Sequence, residues 1–245
     1  MTPRLVQNAK KNVIFVAMIM MTAAFLYPLF FMVINSFKTR TQYYTSPFSL
    51  PDSHLQLNNY LTMISQFKIL NLFCNSFIVS GVSVIFLLFF GIFASYAFAK
   101  LQFRGQNFVY MAVIVTLFIP AQVTMIPMYV MFSKIKLVNT YWGVIFAYLA
   151  AYLPEVIMLM TSNFKSIPNE MIEAAEIDGC NYFNIVRNVI IPMGRPAIFL
   201  TIIFYFIMMW NDLFTPMILL QQMDVRTVMV ALASLMSRYD GDPTF

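Results

Sequence analysis

Five apolar runs, each long enough to cross a bilayer, leave this chain little choice of fold. They extend from about Val13 to Ser36, Asn75 to Ala99, Phe108 to Phe132, Tyr141 to Asn163 and Ala197 to Leu220. A hydrocarbon core about 30 Å thick needs roughly 20 apolar residues per helix, and a helix satisfies its own backbone where no water is present. With 60% hydrophobic residues, only 10% charged ones and a mean hydropathy of +0.75, an ordinary soluble domain is excluded. The expected fold class is an all-α polytopic membrane protein of about five transmembrane helices, with residues 1–245 forming one transmembrane domain.

The first run begins after Arg4, Lys10 and Lys11 and continues past Ala23-Ala24 through Phe25-Leu26-Tyr27-Pro28. It is too long for a cleaved signal and reads as an uncleaved helix with a cytoplasmic amino end. The net charge of +5 comes from 15 basic residues scattered between spans. No basic run marks a nucleic-acid partner, and the charges read as membrane-flanking. On this topology eight basic residues fall inside and seven outside, so charge alone leaves the orientation open and the amino-terminal cluster carries the assignment. Cys74 and Cys180 fall on opposite faces, so no internal disulfide is expected.

Phe37 to Lys68 reads as an external loop with short surface helices, containing the lone His54, for which a metal or catalytic role is unsupported. Pro120 and Pro127 should kink the third span. No Gly is followed by Lys, so a phosphate-cradling loop is absent and any ATP must bind another subunit.

Between the fourth and fifth runs lies a polar stretch, about residues 164–195, that also carries folding signals. Ser166 is a candidate cap for a helix with Pro168 in its first turn. Glu170, Glu173 and Glu176 follow at helical spacing until Gly179 supplies a left-handed stop. Asn181 is a candidate cap for a second helix, with Ile185, Val186, Val189 and Ile190 as its apolar stripe and Pro192 as its end. The pattern predicts a helix-turn-helix on the membrane surface.

This stretch resembles the cytoplasmic EAA loop of permease subunits of binding-protein-dependent ABC importers. Glu173-Ala174-Ala175, Gly179, Val189 and Ile191-Pro192 keep that family's spacing, with Val189 and Ile191 where Ile and Leu are usual. Further similarity to the maltose-type carbohydrate group lies in Phe118 to Pro127, Leu137-Val138-Asn139-Thr140, Asn75-Ser76, Tyr96 to Leu101 and Trp210-Asn211-Asp212. The resemblance implies an inner-membrane permease subunit of a sugar importer, paired with a second permease, two ATPase subunits and an extracytoplasmic solute-binding protein. It implies that Glu173, Ala174, Ala175, Asp178, Gly179 and Pro192 couple to an ATPase. ATP and Mg would reside on that partner, with no cofactor or metal in this chain. Gly179 would permit a sharp turn that a side chain would obstruct.

Glu155 and Asp212 are the acidic residues inside the runs, and a carboxylate there is a functional candidate because burying its charge in lipid costs several kcal/mol. Trp210, Asn211 and Asp212 could line a sugar path, or form a packing or gate cluster. Glu155, after Pro154, could line the path or bond a donor freed by the kink.

Other readings keep the fold but import a polyol or glycerol phosphate, or make the chain a membrane enzyme. The single His and the scattered carboxylates oppose the enzyme. The family normally adds a sixth helix. Ala231 to Met236 is too short for one, so Val228 to Met236 is expected as an external or interfacial helix of a chain shorter than its relatives.

Overall fold

The computed structural model describes residues 3–52 and 55–238, so His54 and the tail from Tyr239 onward lie outside the described residues. Two compact units result, one of residues 1–69 with 235–245 and one of 70–234. In the first, α1 runs Pro3–Ser36 and is followed by α2, Arg40–Thr45, and α3, Asn58–Ser65. The short surface helices expected after the first span are therefore present. Thr39 caps α2 by accepting from the amide of Gln42 at 3.1 Å. Lys38 is buried: its ammonium donates to the carbonyls of Ser46, at 3.0 Å, and Pro47, at 2.9 Å, and so closes the turn that follows α2.

The second unit holds α4 (Ile69–Lys100), α5 (Gln106–Val115), α6 (Ala121–Lys134), α7 (Tyr141–Lys165), α8 (Asn169–Ile177), α9 (Tyr182–Ile185), α10 (Ile191–Met193), α11 (Arg195–Asn211) and α12 (Phe214–Leu219), and contains the start of α13 (Val228–Arg238). At 1.5 Å per residue α4 is about 48 Å long and α7 about 37 Å, each more than the core requires. Together with the span in α1 they are, among the described residues, the three helices long and apolar enough to cross a membrane alone. The number rises to five when each of two bent pairs is counted as one span.

The bent pairs correct the expectation of straight or merely kinked third and fifth spans. Helices α5 and α6 are inclined by 100°. Residues Thr116–Phe118 tighten into a 3-10 turn, and Ile119 is forced extended because it precedes a proline. Pro120, without an N–H to continue the ladder, stands as the first residue outside α6. Pro127, by contrast, stays within α6. The fifth run stops at Asn211, where Asp212 turns extended, and resumes only in α12. Upstream, residues 182–193 and α11 form a pair bent by 79°.

The core sits between α4 and α7, joined by α11. The face of α4 that is buried carries small residues, including Ser76, Ser80, Ser83, Gly91 and Ser95, as expected where membrane helices pack closely. A Cβ on Gly91 would lie 2.7 Å from Cγ1 of Val156, so glycine sets the α4–α7 approach. Four residues on from Gly91, the Ser95 hydroxyl donates to the carbonyl of Ile157 at 3.2 Å.

Candidate functional site

The polar stretch folds into two helices with a turn between them, and its local chemistry is now explicit. Ser166 ends α7 instead of capping α8: its hydroxyl donates to the carbonyl of Asn163 at 2.7 Å, and Pro168 occupies the position before α8. Pro168 is itself extended, with ψ 137, so α8 starts only at Asn169 and Ser166 lies two residues too early to cap it. Helix α8 is anchored by one buried side chain, Ile172, while Glu170, Glu173, Ala174, Glu176 and Asp178 are exposed and Ala175 is half-buried.

At the end of α8 the amide of Cys180 donates to the carbonyl of Ala175 at 2.9 Å and that of Gly179 to Glu176 at 3.0 Å. These are the two bonds of a Schellman stop. Gly179 has φ +78, but a Cβ there would meet nothing within 4 Å. Glycine is needed for its left-handed backbone, not for space, which revises the steric reason given by the sequence.

Asn181 caps the second helix as expected, accepting from the amide of Asn184 at 2.9 Å. Ile185, Val186, Val189 and Ile190 are all buried, so the apolar stripe is real. Pro192 does not end this helix. The preceding turn, Val186–Ile190, widens to π geometry, and the amide of Ile191 reaches back to Val186. Helical geometry thereby passes through Pro192 to Gly194, where the chain turns into α11.

One fastening was not legible beforehand. The ammonium of Lys100, last residue of α4, donates to the carbonyl of Ile167 and, at 2.8 Å, to Oδ1 of Asn169. It ties the entrance of α8 to the end of a span. A second unforeseen feature is Ile177, which is 86% exposed one turn beyond Glu173. An apolar residue inside an acidic helix is the signal that could have found it.

The membrane carboxylates converge on tyrosines. The Tyr148 hydroxyl, buried in α7, donates to the carbonyl of Met209 at 3.3 Å and interacts with Asp212. Tyr152 lies in the field of both Asp212 and Glu155, and Tyr205 in that of Glu155. The rings of Tyr148 and Tyr152 are 5.9 Å apart and those of Tyr152 and Tyr205 5.4 Å. Asp212 also accepts from the amide of Phe214 at 3.0 Å, which stabilises the break before α12. Its neighbours face elsewhere: Asn211 donates to the carbonyl of Ile207 at 2.8 Å, and Trp210 stacks on Phe206 at 5.7 Å.

The remaining polar motifs fasten the segment after α12. Asn75 donates to the carbonyls of Asp224 and Arg226, both at 2.9 Å, and accepts from the Tyr141 hydroxyl at 2.7 Å. Ser76 accepts from the amide of Val228 at 2.9 Å, where α13 begins. Asn139 accepts from the amides of Gln221 and Gln222.

Apolar, partly broken helices carrying one acidic, glycine-stopped helix are the architecture of a multi-pass membrane protein. The chain matches the family described as binding-protein-dependent transport system inner membrane component over residues 87–241, and it belongs to that family. It is 31% identical over 217 residues to the diacetylchitobiose uptake system permease protein NgcG of Streptomyces coelicolor, covering 88% of this chain and 72% of that one. To the multiple sugar-binding transport system permease protein MsmG of Streptococcus mutans it is 34% identical over 200 residues, covering 80% and 71%. Its fold resembles a chain in the crystal structure of a bacterial alginate ABC transporter in complex with an alginate pentasaccharide-bound periplasmic protein. The TM-score is 0.64 at 16% identity, with 98% of this chain and 90% of that one covered.

Proposed function

We infer that this chain is one permease subunit of an ATP-driven sugar importer, and that α8 is its coupling helix. The observation that carries the coupling role is the exposed outer face of α8: Glu170, Glu173, Glu176 and Asp178 stand in a stretch with no Lys or Arg between Ser166 and Val186. Lys100 reaches only the first turn, beside Glu170, and the acidic face from Glu173 to Asp178 suits a basic socket on a separate ATPase subunit, with Ile177 as an apolar contact. Sugar as cargo is supported by the relatives named for saccharide uptake and by the maltose-type motifs.

Helix α8 follows α7 across the three-residue link Ser166–Pro168 and is held to α4 by Lys100, so displacement of α8 is delivered to two spans at once. Closure of the ATPases would use this linkage to switch the translocation path between inward-facing and outward-facing states. The path is formed with a second permease subunit, receives sugar from a solute-binding protein outside, and the amino end of α1 lies in the cytoplasm. Glu155 and Asp212, bridged by Tyr152, are its candidate polar lining; the ATP and Mg belong to the partner ATPases.

The test is a charge reversal. In membranes containing the cognate ATPase, Glu173→Lys should reduce both ATPase co-purification and sugar uptake while leaving membrane insertion intact. Undiminished recovery of the ATPase and normal uptake would remove α8 from the coupling role.

A further inference from the structure

A cleft of about 260 Å³ opens where three helices end, at the carboxyl ends of α4 and α7 and the amino end of α5. Its polar wall is made by Lys100, Gln102, Gln106, Asn107, Tyr110, Lys165 and Asn169, and no Asp or Glu lines it. Lys100 is half-buried and bonded to two uncharged oxygens, those of Ile167 and Asn169. Lys165 is poised over the ring of Tyr110, 5.8 Å from its centroid. Glu170, in the first turn of α8, acts on Lys100 but is not part of the wall. Two cations thus face one cleft at the boundary between span and water, where the falling dielectric strengthens their attraction for an anion.

We propose that this cleft binds the phosphodiester headgroup of an anionic phospholipid. The chemistry it offers, two ammonium groups beside amides and a phenol, fits a phosphate group from lipid or from solution. Two observations favour lipid. The cleft is smaller than the roughly 300 to 1,000 Å³ of sites that enclose a whole organic ligand, so it takes a headgroup and leaves the rest outside. The helix beside it, α5, turns Phe108, Val109, Met111 and Val115 outward, a surface along which acyl chains would lie. Basic pockets between membrane helices are known to hold acidic lipid headgroups, at about 1 kcal/mol for each surface lysine. The site requires only that the chain lies in a membrane, so it stands or falls separately from the transport reading.

The experiment is native mass spectrometry of the full chain released from micelles containing equal amounts of phosphatidylglycerol and phosphatidylcholine. Preferential retention of phosphatidylglycerol is expected, about fivefold weaker in Lys165→Gln and restored in Lys165→Arg. Arg187→Gln, which alters an exposed basic residue outside the cleft, should leave retention unchanged, as should an excess of inorganic phosphate. Equal retention of the two lipids, no loss in Lys165→Gln, or a matching loss in Arg187→Gln would overturn the site. Displacement of the lipid by inorganic phosphate would overturn the lipid assignment.

Discussion

Lys100, the last residue of α4, donates to the side-chain oxygen of Asn169, the first residue of α8, at 2.8 Å, and the same ammonium also holds the carbonyl of Ile167. The surface helix is therefore fixed to a span that lies 69 residues away in sequence. Charge-assisted hydrogen bonds of this kind contribute about 1.5–3 kcal/mol. Lys100→Met, which keeps the stem and removes the donors, should speed amide exchange across Asn169–Ile177 by about tenfold while α4 itself stays protected. Unchanged exchange in α8 would mean that the ammonium does not hold it.

Gly179 adopts φ +78 in open space, so substitutions there should rank by backbone strain and not by size. A left-handed conformation costs most residues about 1–2 kcal/mol and asparagine less. ATPase co-purification and sugar uptake should fall in the order Gly179→Asn, Gly179→Ala, Gly179→Pro, with the proline variant worst. Normal values of both in Gly179→Pro would sink the coupling-helix assignment.

Asp212 has two separable tasks, accepting from the amide of Phe214 and facing Tyr148 and Tyr152. Asp212→Asn keeps an oxygen for the amide and should preserve thermal stability; Asp212→Ala should lose it. If the carboxylate lines the sugar path, both variants should lower uptake more than basal ATPase activity. Equal loss of the two activities would assign Asp212 to packing.

The near-contact of Gly91 with Val156 predicts compensation. Gly91→Ala should destabilise the protein in detergent by about 1–3 kcal/mol through overpacking. Adding Val156→Ala to that variant should recover much of the loss, read as the unfolding midpoint. An additive double mutant would show that the α4–α7 spacing is not set at this point.

Asn75→Ala should free the segment after α12, because two carbonyls and the Tyr141 hydroxyl lose their partner together. Faster proteolysis between Gln221 and Arg226, without loss of the spans, is the expected result. Unaltered cleavage would show that Ser76 and Asn139 suffice to hold it.

What the sequence by itself determined was local: the apolar runs of the first, second and fourth spans, Asn181 as a cap, Gly179 as a left-handed stop and the buried stripe from Ile185 to Ile190. Each follows from chemistry within a few residues. The failures were also local signals, but ones with competitors. Ser166 had a carbonyl to satisfy behind it as well as a helix ahead, Pro192 was accommodated by a π turn, and Pro120 broke its span where a kink was expected. Only the tertiary structure placed Lys100 against Asn169, brought Glu155 and Asp212 to the same tyrosine, and sent Asn75 to Asp224, 149 residues on. Those pairings depend on how helices are laid side by side, and a buried polar group takes whatever partner the packing brings within reach, so no spacing along the chain encodes them.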